Sequence, residues 1–77
     1  MDPSAIEHLI LQAMPGADVC VESDDNVHYV ARIVSSEFFG CNRIQRHRRV
    51  HEALGSSLGH EIHALSLDLK TPEEACQ

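Results

Sequence analysis

At Pro15-Gly16 the apolar residues change period, and that change decides which class of fold is open to this chain. Before it, Ile6, Leu9, Ile10, Ala13 and Met14 recur at helical spacing and make one apolar stripe. Asp2-Pro3-Ser4 supplies the start, with an Asp side chain free to cap and a Pro in the first turn, where its missing N–H is harmless. After it, Val19 and Val21 share one face of a strand with Cys20 on the other, until the turn-forming Ser23-Asp24-Asp25-Asn26.

His28 to Ser35 reads as a second strand, and the short connection predicts an antiparallel hairpin. A loop over residues 35–41 follows, in which Gly40 supplies a positive φ and Phe38 and Phe39 plug the sheet edge. A second helix is predicted from Ile44 to Leu58, ended by Gly59. On it Ile44, His47, Val50, His51, Leu54 and Leu58 share one arc, and the arginines point to water. Ile62 to Leu69 is a last strand with Leu65, Leu67 and Leu69 on one face, and His63 stands at its entrance with the same parity. Thr71 caps a short final helix that has Pro72 in its first turn. The order α-β-β-α-β-α on 77 residues is that of one small α+β domain, residues 1–77, with a thin aliphatic core.

Charge and cysteine usage narrow the function classes. A formal charge of −6 opposes non-specific grip on nucleic acid, although Arg43, Arg46, Arg48 and Arg49 fall within seven positions and form a local basic patch. Cys20, Cys41 and Cys76 are an odd set without CxxC spacing, which indicates neither a disulfide framework nor a zinc ribbon and suits a reducing cytoplasm. Met-Asp-Pro-Ser has no signal-peptide character, and no apolar run reaches the roughly 18 residues of a membrane span. With no motif-borne nucleophile, no paired carboxylates in an evident cleft and no phosphate-cradling glycine run, the reading is a binding module and not an enzyme.

Three blocks carry a family resemblance: Val34-Ser35-Ser36-Glu37-Phe38-Phe39-Gly40, then Gln45-Arg46-His47-Arg48-Arg49-Val50, then Ile62-His63-Ala64-Leu65-Ser66-Leu67 with Thr71-Pro72-Glu73. In this order and spacing they resemble the BolA-like proteins. The resemblance implies a three-stranded sheet of mixed direction with helices packed on one face, similar to the type II KH fold. It also implies two functions. In one, such a protein pairs with a monothiol glutaredoxin and shares a [2Fe–2S] cluster, with the partner's cysteine and glutathione completing the ligand set. In the other it is a DNA-binding transcriptional regulator linked to stress and cell shape. Free in solution, the chain is expected to be a monomer or weak homodimer. Two departures stand out: the slot where some relatives carry a Cys or His holds Asp25, and the final helix lacks the Trp of many relatives.

Under the cluster-sharing reading His63 is the leading metal ligand, since neutral imidazole replaces thiolate in some [2Fe–2S] centres. For a second ligand from the hairpin, His28 ranks first and Asp25 second, with Cys20 softer but placed inside a strand. His47 and His51 read as packed histidines of the helix stripe, and His8 and His60 as surface residues. Under the DNA reading the contacts fall to Arg43, Arg46, Arg48 and Arg49 with Gly40, although the KH clamp uses GxxG and only Gly40 is present here. The same arginine face also suits an acidic partner.

Overall fold

The computed structural model describes residues 2–55 and 64–76. Helix α1 spans Pro3–Ala13, strands β1 and β2 span Asp18–Glu22 and His28–Val34, and a single 3₁₀ turn covers Ser36–Phe38. Helix α2 spans Arg43–Leu54, strand β3 Ala64–Lys70 and helix α3 Pro72–Ala75. The order α-β-β-α-β-α stands. Among the described residues the strands form one sheet in the order β1-β2-β3, with β1 antiparallel and β3 parallel to the central β2. The sheet is therefore mixed, as a hairpin followed by a helical crossover requires.

Along β2 burial alternates: Tyr29, Ala31 and Ile33 are buried, while His28, Val30 and Arg32 are exposed. Only one face of the sheet is covered, as the period-two pattern demands. Ile6 and Ile10 of α1 with Met14 just after it, Val50 and Leu54 of α2, and Phe38 close over that face, with Leu65, Leu67 and Leu69 of β3 packed at the margin. Glu7 of α1 also accepts the Val21 N–H at 2.9 Å, so the helix satisfies a donor on the outer edge of β1.

Four local expectations are corrected. Asp2 does not cap α1 with its side chain; its carbonyl accepts from Ala5 and Ile6 instead. Phe38 is fully buried but Phe39 is half exposed, because the 3₁₀ turn sends successive side chains in different directions. Helix α2 starts at Arg43, on a reciprocal capping box between Asn42 and Gln45, and ends at Leu54. Gly55 follows it at φ 57° and ψ −134°, a conformation open to glycine, whereas Leu58 and Gly59 lie outside the described residues. Finally, the buried arc of α2 is centred between Arg46 and Val50. Ile44 is 69% exposed, His51 is exposed and His47 is half-buried, so the histidines are not core residues. No described helix is long and apolar enough to cross a membrane.

Candidate metal-ligand site at the hairpin turn

The connection between β1 and β2 is held by its own side chains. Asp25 Oδ1 accepts the backbone N–H of Val27 and of His28, each at 2.9 Å. The Ser23 hydroxyl accepts from Asn26 N–H at 2.9 Å and donates to the His28 carbonyl at 2.6 Å. Asn26 takes the positive φ of 56° that the reversal needs, which Asn tolerates better than most side chains, and its carbonyl accepts from the Tyr29 hydroxyl at 2.7 Å. The turn is a built element, anchored to the core through Tyr29.

Within it Asp25 Oδ2 lies 2.9 Å from His28 Nδ1. The backbone N–H of His28, then its side chain and the Val27 N–H, hold the Asp25 carboxyl far below the usual carboxylate range. An ionised carboxylate only accepts, so Nδ1 must carry the proton and donate it. In the neutral ring this leaves the lone pair on Nε2, to which no described group is bonded. A histidine oriented from behind by a carboxylate, with its other nitrogen free, is the arrangement that commonly supports metal ligation. Asp25 thus orients the His28 ring, through Oδ2, while its Oδ1 holds the turn.

The turn overhangs the start of β3, where an open concavity of about 780 Å³ is lined by Glu22, Asp25, His28, Ala64 and Ser66 among others. The parallel register sets His28 opposite Ala64. His63, the residue preceding Ala64 in sequence, lies outside the described residues. Cys20 is exposed on β1, but it pairs in register with Arg32, four residues along β2 from His28. At the usual rise of a strand that is about 13 Å, too far for the two to share one metal. Among the described residues no three His, Cys, Asp or Glu side chains converge to hold a metal ion. Among the described residues the donor set thus offers one coordination position at this turn, through His28 Nε2.

The arginine cluster divides in two. Arg46, expected in water, has a side chain only 16% exposed. It donates to both carboxylate oxygens of Glu74 at 2.7 and 3.3 Å, to the Leu69 carbonyl at 3.2 Å and to the Cys41 carbonyl at 3.0 Å. Its guanidinium carbon also stands 5.8 Å from the centre of the Phe38 ring. Arg49 is paired with Glu37. Arg43 and Arg48 are exposed and pair with no described residue. Gly40 has φ 77° with open space around its missing Cβ, so the turn geometry alone calls for glycine there.

The sequence matches the BolA-like protein family over residues 11–74. This chain belongs to that family. Its BolA-like fold superposes on the structure of a BolA protein homologue from Coxiella burnetii with a TM-score of 0.88 at 33% identity, covering 100% of this chain and 99% of the other. The BolA domain of SufE1 from Arabidopsis thaliana gives a TM-score of 0.82 at 30% identity, covering 94% and 93%. Among curated BolA relatives, the DNA-binding transcriptional regulator BolA of Haemophilus influenzae is 35% identical over 90% of this chain and 76% of its own length. BolA-like protein 1 of mouse is 43% identical over 70% of this chain, a match that spans 39% of the mouse protein.

Two functional features of this BolA domain escape a reading of the sequence by side-chain type. The first is the role of Asp25, whose spacing to His28 is the local signal of a side chain folding back on its own turn. The second is Glu74, which closes a capping box with Thr71 while binding Arg46, a contact for which nothing local gives notice.

Proposed function

We propose that this BolA-like chain is an adaptor that contributes histidine ligation to a [2Fe–2S] cluster shared with a monothiol glutaredoxin, in cluster assembly, trafficking or iron and redox sensing. His63 and His28 are the ligand candidates, and Asp25 fixes the His28 tautomer. The observation that carries the reading is the imidazole of His28. Its Nδ1 is tied to Asp25, its ring is largely exposed, and its backbone is in register with the residue that follows His63. Such centres ordinarily need four ligands, and in this reading the partner's cysteine and glutathione supply those that the imidazoles do not. The cluster would supply electron-transfer or iron-delivery chemistry. The chain's own part is to present one or two imidazoles on a firm turn, and histidine ligation raises the potential relative to all-thiolate ligation. Titrating the protein into a cluster-loaded monothiol glutaredoxin and following visible circular dichroism tests this. A new spectrum is expected with the wild type and an altered one with His63→Ala or His28→Ala; an unchanged spectrum refutes the assignment.

A second reading, DNA binding in transcriptional control, is supported by the name of the Haemophilus relative and by the exposed Arg43 and Arg48, which pair with no described residue. Two phosphate contacts imply a slope of log K against log salt of about −1.8. Affinity for duplex DNA that is insensitive to Arg43→Ala with Arg48→Ala excludes this route.

A further inference from the structure

The most exposed large apolar side chain among the described residues is Ile44, and it does not stand alone. It lies in a shallow groove of about 360 Å³ on the outer face of α2, lined by Arg43, Ile44, His47, Arg48 and His51. The rings of His47 and His51 meet edge to face with centroids 6.4 Å apart, so the groove wall is ring and alkyl surface. An isolated surface isoleucine needs no explanation, but one walled by aromatic edges and flanked by cations forms a composite surface.

We infer that this face docks an acidic protein segment that places one bulky apolar side chain against Ile44 between the two imidazoles. Charge selects the occupant. Among the described residues Arg43 and Arg48 are the arginines of α2 without an ion-pair partner, Arg46 and Arg49 being held by Glu74 and Glu37. On a body of net charge −6 they leave one face attractive to anionic groups while the remainder repels them, which orients an acidic partner. A nucleic-acid backbone would satisfy the guanidiniums but would leave the isoleucine uncovered and bring a long polyanion against the acidic body. A segment of Asp and Glu around a Leu, Ile or Phe matches every element of the groove.

The placement matters as well. Arg46 touches Leu69, near the end of β3 remote from Ala64, so the first turns of α2 lie toward the opposite end of the sheet from the His28 turn. The two surfaces can be occupied together, and the inference does not depend on the metal-ligand reading.

Selection of a random 16-residue peptide display library against the full chain, followed by affinity measurement with the enriched peptides, tests it. The expected result is a family of sequences with one bulky apolar residue flanked by Asp or Glu. Binding should weaken at least tenfold with Ile44→Asp and, separately, with Arg43→Glu combined with Arg48→Glu. All these side chains are exposed, so unchanged thermal melts should accompany the loss. Failure to enrich any such family, or enriched peptides indifferent to both variants, overturns the inference. So does a 20-base-pair duplex that binds through the same residues more tightly than the peptides.

Discussion

The guanidinium of Arg46 meets the carboxylate of Glu74 across 28 residues of chain, Nη1 to Oε1 at 2.7 Å, and so ties the start of α2 to the C-terminal helix. The same Oε1 accepts the Thr71 N–H at 2.8 Å, which joins the ion pair to the cap of α3. An arginine that looks like a nucleic-acid contact in the sequence is a structural clasp in the fold.

Alanine replacement along the cluster should separate the clasp from the surface. Arg46→Ala should give the largest fall in melting temperature of the four, since it strands Glu74 and removes donors from the Leu69 and Cys41 carbonyls. Arg43→Ala and Arg48→Ala should each change stability by no more than about 0.5 kcal/mol. Equal effects across the series in thermal melts would contradict the assignment.

The clasp carries a pH signature. Arg46, helped by the Thr71 N–H, lowers the Glu74 carboxyl from its ordinary value of 4.5 to about 2. Its folded-state value is below its unfolded one, so its contribution is complete above about pH 4.5 and is lost as pH falls toward 2. The melting-temperature gap between wild type and Glu74→Gln should be steady from pH 7 to 5 and narrow between pH 4.5 and 2. A gap that widens on acidification has the wrong sign.

Adjacent phenylalanines should behave differently. Phe38 is buried beneath Arg46 and packed in the core, so Phe38→Ala is expected to cost about 3–5 kcal/mol. Phe39→Ala, at a half-exposed position, should cost about 0.5 kcal/mol or less. Denaturant unfolding measures both, and comparable costs would mean that the turn is oriented differently.

The parts legible in the sequence are those that local pattern determines. The change of period at Pro15-Gly16, the alternation of Val19 and Val21, the hairpin and the Thr71 cap depend on neighbours a few residues away, and each is present. The buried face of α2 is not of this kind. Apolar type selects Val50 and Leu54 correctly but takes Ile44 and His51 with them, whereas the helix turns Arg46 inward, because Glu74 and two backbone carbonyls neutralise the arginine's burial from elsewhere in the fold. The end of α2 at Leu54 reflects a choice between two glycines, Gly55 and Gly59, that composition does not rank. At the candidate site, residue type marked Asp25 and His28, but only geometry shows that one orients the other.

Histidine ligation from this chain is the claim on which the functional account stands, and hyperfine spectroscopy reads it directly. The chain is labelled with ¹⁵N-histidine, the glutaredoxin left unlabelled, and the reduced cluster complex examined by electron–nuclear double resonance. The account expects a ¹⁵N coupling that is weakened or lost with His63→Ala or His28→Ala and absent when both are replaced. A complex that forms its cluster yet shows no ¹⁵N coupling would contradict it.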